Sequence, residues 1–188
     1  MNAGTSSPVR FDTSHYALVV GPGLKSGLQI QINDPGQLGS DLVCCAVGAL
    51  ARYEPPLLVC SMGTATTMIA IDSRGAVQGG AILPGVKVAL DALTQHTAQL
   101  PQIDLEQPPK DVIGRNTIDC MKSGVLYGNA CTLDGMAARM EETLGQPARR
   151  VATGSYAAAI TPYCRVGWTV EQDLVLEGLQ RIHARNAR

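Results

Sequence analysis

The clearest hydrophobic pattern of the chain lies between residues 57 and 85. A short apolar run, Leu57 to Cys60, is followed by a turn of small residues at 61–64 and by a second run, 66–72, rich in Thr and Ile. The turn Ser-Arg-Gly then leads to a third run, 76–83, which contains the flexible pair Gly79-Gly80. Short runs of this composition, bounded by turn residues, are typical of strands. We therefore predict a three-stranded meander with a tight, glycine-containing first turn.

The pattern after this meander is mainly helical. Apolar residues at helical spacing predict helices over 84–98, 116–145, 156–164 and 173–186, with one further strand at 150–153, which gives the order βββααβαα. The long segment 116–145 contains glycines at 124, 128 and 135. Small residues at this spacing allow close helix approach. They are equally compatible with a glycine-kinked pair of core helices and with a contact between subunits.

The segment before the meander is harder to place. Residues 1–15 are rich in Gly, Ser, Thr and Pro and read as a tail without structure of its own. Two short strands are predicted at 16–20 and 28–33, followed by a nearly all-apolar helix at 42–53. A helix of this kind needs cover on more than one side. The two short strands before it do not provide the sheet on which it should pack.

Composition and charge narrow the class of protein. Of the 188 residues, 45% are hydrophobic and only 4% aromatic, so the core is aliphatic and extensive, in part against another subunit. A net charge of −1 gives no electrostatic reason to expect nucleic acid or a membrane surface as a partner. No apolar run reaches the roughly 18 residues that span a bilayer. We expect a soluble, intracellular protein.

The six cysteines indicate a reducing compartment. They show no Cys-x-x-Cys spacing and no nearby His cluster, so no zinc site is predicted. The adjacent residues Cys44 and Cys45 are poor disulfide partners, and most of the six lie in apolar runs, as buried free thiols do. The simplest location is the cytoplasm.

Two polar features are candidates for chemistry. The turn after Cys60 carries Gly63 and several Thr residues, and such a turn can offer backbone N–H groups and hydroxyls to a phosphate. A small-residue hairpin without ligand is the alternative. Asp41 directly precedes the predicted helix, where it suits an N-cap as well as a functional role.

Six motifs, in this order and spacing, resemble those of the type III pantothenate kinases. They are Gly-Pro-Gly-Leu-Lys-Ser-Gly at 21–27, Gly-Ser-Asp at 39–41, Gly-Thr-Ala-Thr-Thr at 63–67, Gly-Gly-Ala-Ile-Leu-Pro-Gly at 79–85, Asn-Thr at 116–117 with Ser-Gly at 123–124, and Asp-Leu-x-Leu-Glu-Gly-Leu at 173–179. The resemblance extends from about residue 20 to residue 186.

The resemblance implies an α/β fold of the ribonuclease-H-like, actin-like ATPase class, with a mixed sheet flanked by helices. Residues 16–54 would be the remnant of a first actin-like domain and residues 55–188 a second such domain. It further implies ATP-dependent phosphorylation of pantothenate in coenzyme A synthesis, with Mg²⁺ and a monovalent cation such as K⁺. The assembly would be a homodimer, or a heteromer with a fuller paralogue.

The resemblance also assigns site residues. Asp41 matches the catalytic Asp that takes the proton of the pantothenate hydroxyl, and Thr117 matches a pantothenate contact made across the dimer interface. The pantothenate-binding turn would include Gly21, Gly23, Lys25 and Gly27. The second phosphate loop would include Gly63, Thr64, Thr66 and Thr67, and Gly154 lies in the region near the adenosine.

Four departures from the family pattern concern the nucleotide side. The 188 residues contain no Asp-x-Gly-Asn-Thr phosphate loop, and Leu42 stands where the family has Arg. Ser61 replaces the Asp that holds the monovalent cation, and Gly154-Ser155 replaces a Gly-Gly pair. We therefore expect a chain that is inactive alone: a truncated kinase, a partner subunit or a pseudoenzyme. The alternative is a non-catalytic module that binds pantothenate and regulates.

Overall fold

The computed structural model describes residues 18–97 and 99–187, which form one six-stranded mixed sheet with helices on both faces. In spatial order the strands are β1 (Gln29–Ile30), β4 (Ala76–Pro84), β3 (Ala65–Ile71), β2 (Leu57–Met62), β5 (Arg149–Thr153) and β6 (Thr169–Val170). Strands β2, β3 and β4 form the predicted antiparallel meander. Strand β1 joins β4 in parallel at one end, and β5 and β6 continue the sheet in parallel from β2 at the other.

Five α-helices complete the architecture. They are α1 (Ser40–Arg52), α2 (Val86–His96), α3 (Thr117–Leu144), α4 (Ala157–Ile160) and α5 (Leu174–Asn186), with short 3-10 helices at Pro35–Gln37 and Thr161–Tyr163. Helices α1 and α5 cover one face of the sheet, whereas α2, α3 and α4 cover the other. The expected α/β architecture, a mixed sheet flanked by helices, is confirmed.

The central strands are apolar along their whole length because both of their faces are buried. In β2, Leu57 and Val59 pack towards α1, and the alternate residues Leu58 and Cys60 pack towards α3. Side chains of successive residues in a strand point to opposite faces of the sheet. A strand covered by helices on both faces therefore reads as a continuous apolar run rather than an alternating one.

The apolar helix α1 gains its cover from two directions. Cys45, Ala46 and Ala49 pack on the sheet, and Cys44 and Val47 form a small cluster with Ile182 of α5. The sheet that the preceding segment does not supply thus comes from the strands that follow. Residues 29–52 share one sheet and one core with those strands, and the division of the chain at residue 54 stays a prediction.

Several details differ from the sequence-based expectations. Residues 18–20 of the strand predicted at 16–20 are irregular, and the strand predicted at 28–33 is reduced to Gln29–Ile30. Strand β6 was not predicted. Helix α3 is one continuous helix rather than a kinked pair, capped by the Asn116 side chain and by Gly145 in the left-handed conformation. The tail predicted at 1–15 lies outside the described residues.

Gly124 and Gly128 of α3 make no close contact with another element among residues 18–97 and 99–187. A Cβ atom placed on Gly124 or Gly128 would meet no other atom within 4 Å. The interpretation of these glycines as sites of close helix packing inside one chain is therefore wrong. In the described part of the chain, no helix combines the length and the apolar character needed to cross a bilayer.

Candidate active site

Asp41 lies in the first turn of α1 and is exposed. The helix begins at Ser40 and its N-cap is Gly39, which makes no side-chain capping bond. The interpretation of Asp41 as the N-cap is therefore wrong by two positions. The positive end of a helix dipole favours a carboxylate in the first turn. The Asp41 side chain thus lies exposed at the positive end of α1 and is not used in a capping bond.

A cavity of about 430 Å³ brings Asp41 and Thr67 together. It lies between the start of α1, strands β3 and β4, and Ile32, with Gly79 and Gly80 forming part of its wall. Thr67 is 9% exposed, and its Oγ1 has no hydrogen-bond partner among the described residues. Buried polar groups are nearly always paired. A cavity lined by an acidic residue and by a residue with an unpaired buried hydroxyl is a candidate site for a polar ligand.

A second cavity of about 480 Å³ adjoins the first. It is lined by Gly21 and Gly23 of the predicted pantothenate turn and shares Gln37, Leu38 and Gly39 with the cavity of Asp41. The segment 37–39 therefore forms a wall between the two cavities. Gly21 and Gly23 line the cavity on one side of this wall, and Asp41 lines the cavity on the other side.

The second half of the same turn, residues 25–27, is held by hydrogen bonds to the end of α5. The Lys25 backbone N–H donates to Asn186 Oδ1 at 3.2 Å, and Asn186 Nδ2 donates to the Lys25 carbonyl at 3.0 Å. Arg185 Nη1 donates to the Ser26 carbonyl at 2.8 Å and lies over Gly27. Lys25 and Gly27 thus line neither of the two cavities and instead fasten the turn to the end of α5.

The predicted phosphate loop connects β2 and β3. Thr64 is exposed at its tip, and the Gly85 backbone N–H donates to the Thr64 carbonyl at 3.2 Å. On the other side of the loop, Gly154 packs against the backbone of Met62. Its φ is +95°, and a Cβ atom on it would lie 2.6 Å from the Met62 carbonyl oxygen. Only glycine fits there, because it tolerates this φ and carries no Cβ. The loop is therefore fixed by backbone contacts on both sides.

The four residues predicted to bind phosphate in this loop do not all line the same cavity. Thr66 has the strand parity of Met68, which packs towards α3, so its side chain lies on the opposite face of the sheet from Thr67. Thr66 is 3% exposed, and within the described chain its hydroxyl also has no partner. Of Gly63, Thr64, Thr66 and Thr67, only Thr67 lines the cavity of Asp41.

The residues around Ser61 do not fit the cation site that the family resemblance implies. Ser61 pairs in register with Thr67 on β3 and with Thr153 on β5, so its strand neighbours carry neutral hydroxyls. Burial raises the pKa of the adjacent Cys45 thiol to about 12, an increase to which the Asp41 charge adds and which the Ser61 hydroxyl opposes. No group of three or more His, Cys, Asp and Glu residues in 18–97 and 99–187 could hold a metal ion.

Thr117 lies apart from these residues. It is the first residue of α3 and lines an apolar groove of about 600 Å³ between α2 and α3, together with Leu90, Leu93 and Gly124. Within one chain, Thr117 and Asp41 therefore line different cavities. Lys122, five residues further along α3, is buried and has no counterpart among the predicted site residues. A lysine among the apolar residues of a predicted core helix is the signal in the sequence that marks it.

Comparison with known proteins identifies the family. The family model described as type III pantothenate kinase matches residues 9–139. The type III pantothenate kinase of Anaeromyxobacter sp. (strain Fw109-5) is 41% identical over 169 residues, which are 90% of this chain and 66% of that protein. The enzyme of Exiguobacterium sp. is 42% identical over 171 residues, with 91% and 66% coverage. The chain thus spans about two thirds of the length of these curated relatives.

A solved structure supports the fold. A Campylobacter jejuni protein described as a Baf family transcriptional activator superposes with a TM-score of 0.63 over 86% of this chain and 70% of that chain, at 20% identity. The expected actin-like ATPase class of fold is confirmed. From its family match and its similarity to these relatives, the chain belongs to the type III pantothenate kinase family.

Proposed function

We propose that this chain serves the ATP-dependent phosphorylation of pantothenate to 4′-phosphopantothenate, in coenzyme A synthesis in the cytoplasm. The observation that carries the proposal is the cavity lined by both Asp41 and Thr67, whose buried hydroxyl has no partner among the described residues. Phosphoryl transfer requires mainly positioning, a modest base and donors for the phosphoryl oxygens. The six free thiols support the cytoplasmic location.

In this proposal Asp41 acts as the general base. The primary hydroxyl of pantothenate lies beside Asp41, its oxygen bonds to the γ-phosphorus of ATP, its proton passes to the carboxylate, and the bond to the bridging oxygen breaks to release ADP. Thr67 donates its free hydroxyl to an oxygen of the transferred group. Mg²⁺, bound together with the nucleotide, would supply charge neutralisation of its phosphates. The strand neighbours of Ser61 carry neutral hydroxyls and do not fit a K⁺ site.

We further propose that the 188 residues are inactive alone. They contain no Asp-x-Gly-Asn-Thr loop, and Leu42, at the position of the family's Arg, packs in the core with 8% exposure. The catalytic carboxylate is therefore present without its neighbouring cation. A chain that carries the missing loop would complete the site, with residues 16–54 belonging to a first actin-like domain and 55–188 to a second.

The groove between α2 and α3 is the proposed contact with that second chain. Its lining is largely apolar, Gly124 and Gly128 of α3 lie open, and exposed apolar side chains occur on α2, on α3 and in the segment that precedes α3. These are Val88, Leu93, Ile113 and Ile118. Thr117 lies in the same groove, where it can reach a substrate held by the other subunit. The partner is a second copy of this chain or a fuller paralogue.

Calorimetry and a complementation assay test this function. We expect the chain to bind pantothenate but to show no turnover with ATP and Mg²⁺. Mixed with a full-length family member whose own catalytic Asp is replaced by Asn, the chain should restore turnover. Asp41→Asn should lower the restored rate by at least about 10²-fold, whereas Asp34→Asn, at another exposed Asp, should not. Turnover by the chain alone would overturn the proposed inactivity, and absence of pantothenate binding would overturn the substrate.

A non-catalytic pantothenate-binding module is the second candidate, favoured by the burial of Leu42 and the neutral Ser61. Such a module should be stabilised thermally by pantothenate and not by ATP, and should fail to restore turnover in the mixture. Restored turnover therefore separates the two candidates.

A further inference from the structure

Lys122 is a buried lysine held by two hydrogen bonds to an irregular segment. Its side chain is 9% exposed, in the second turn of α3. Nζ donates to Asp104 Oδ1 at 3.2 Å and to the Gln107 carbonyl at 2.9 Å. The Asp104 side chain is itself 67% exposed. Because Lys122 donates a hydrogen bond to it, the pKa of the Asp104 carboxyl lies below its ordinary value.

Two neighbours of Lys122 hold the same segment further along. The Ser123 hydroxyl donates to the Val112 carbonyl at 2.5 Å, and the Cys120 thiol donates to the Gly114 carbonyl at 3.3 Å. The start of α3 thus fastens the segment 99–116 at four points, from Asp104 to Gly114. This segment ends at Asn116, whose side chain caps α3 immediately before Thr117.

Stability alone does not explain a lysine at this position. Burying an ammonium group is costly, and replacing a buried ion pair by apolar side chains is often neutral or stabilising. Here the neighbours Met121 and Val125 are apolar and buried, so an apolar side chain would pack at least as well. What the ammonium provides, and an apolar group cannot, is a directed bond to two specific oxygens of the segment 99–116.

We propose that Lys122 is a positioning residue: it fixes the segment 99–116 so that Thr117 is presented in one geometry at the groove between α2 and α3. The inference rests on the proposed function, in which Thr117 contacts the pantothenate held by the other subunit. Lys122 itself touches no substrate. Its effect reaches Thr117 through the segment that leads into α3.

The test compares three variants of the full 188-residue chain. Lys122→Met removes the directed bonds and keeps an apolar chain of similar length, Lys122→Arg keeps a cation, and Lys110→Met changes an exposed lysine in the same segment. For Lys122→Met we expect amide exchange across 100–116 to accelerate about tenfold or more while the sheet stays protected. Pantothenate affinity should fall by up to about tenfold, the factor that one hydrogen bond contributes.

Lys122→Arg should restore most of both properties, and Lys110→Met should leave both unchanged. Two results would overturn the inference: unchanged amide exchange in Lys122→Met, or faster exchange with unchanged pantothenate affinity. Failure of the unsubstituted chain to bind pantothenate counts instead against the proposed function. It would also refute the effect of Lys122 on pantothenate binding through Thr117. In that case, unchanged exchange in Lys122→Met would also refute the fastening of the segment.

Discussion

Gly178 of α5 lies directly against the backbone of Cys44 in α1, where a Cβ atom on Gly178 would be only 1.9 Å from the Cys44 carbonyl oxygen. The two helices cross at a distance that no side chain permits. Because this oxygen belongs to the backbone, relief of the clash requires the helices to separate.

We therefore expect Gly178→Ala to lower the free energy of unfolding by about 1–3 kcal/mol, the usual cost of overpacking. Gly128→Ala is the matched control, since this helical glycine faces open space and alanine favours a helix by up to about 1 kcal/mol. Urea titration of both variants measures the difference. Equal effects of the two substitutions would contradict the close crossing.

Thr67→Val should separate stability from binding. Valine removes a buried hydroxyl that has no partner among the described residues, so we expect the free energy of unfolding to rise by up to about 1–3 kcal/mol. Pantothenate affinity should fall, because Thr67 lines the cavity of Asp41. Thr66→Val changes an equally buried hydroxyl on the other face and should stabilise without weakening pantothenate. Urea titration and calorimetry give the two quantities, and a similar loss of affinity in both variants would refute this placement.

Acid should weaken a polar cluster at the end of α1. The Tyr53 hydroxyl and the Arg52 guanidinium both donate to Glu171, and these bonds lower the pKa of the Glu171 carboxyl below its ordinary value of 4.5. A carboxyl with a depressed folded-state pKa stabilises the fold above pH 4.5, and this contribution is lost as the pH falls through the folded-state pKa.

We expect Glu171→Gln to be less stable than the unsubstituted protein at pH 7 and to lose less stability on acidification below pH 4.5. Glu142→Gln, at an exposed position of α3, should follow the unsubstituted protein. Urea midpoints measured between pH 7 and pH 3 provide the comparison. Parallel pH profiles for Glu171→Gln and the unsubstituted chain would contradict the role of this cluster.

Thiol labelling should distinguish two cysteines from the other four. Cys120 and Cys131 are exposed, whereas burial raises the pKa values of Cys45, Cys60 and Cys164 to about 12. At pH 8 a thiol reagent should therefore react quickly with two groups in the folded protein and with six after denaturation.

The same labelling reports on the proposed subunit contact. Cys120 lines the groove between α2 and α3, whereas Cys131 does not. Labelling of Cys120 should slow as the protein concentration rises, while the rate at Cys131 stays constant. A concentration-independent rate at Cys120 would argue against a second copy in the groove.

The sequence was most informative where each element has its own local signal. The meander was predicted to within two residues at every strand end, because Ser73-Arg74-Gly75 and the loop at Gly63 mark its turns. Strand β6, two residues long, has no such signal and exists only because β5 offers a free edge. The apolar helix α1 could be predicted, but its cover could not, since the sheet and α5 lie later in the chain.

In the candidate site, too, local motifs predict some features, whereas contacts between distant residues decide others. Asp41 and Thr67 were selected from motifs, and the structure brings them into one cavity. Adjacent threonines in one motif read alike in sequence, yet strand alternation sends Thr66 to the opposite face. The role of Lys122 depends on oxygens 15 and 18 residues away. No short-range pattern encodes such a contact.

The fastening of the turn at 21–27 to the end of α5 has a consequence for biosynthesis. Its partners, Arg185 and Asn186, are made 159 and 161 residues after Ser26 and Lys25, the residues to which they bond. Residues leave the ribosome in order from the N-terminus, so contacts with later elements form last. A growing chain can form the meander of β2, β3 and β4 early, but it cannot secure this turn until α5 has left the ribosome. Capacity to bind through the turn should therefore be the last property that the nascent chain acquires.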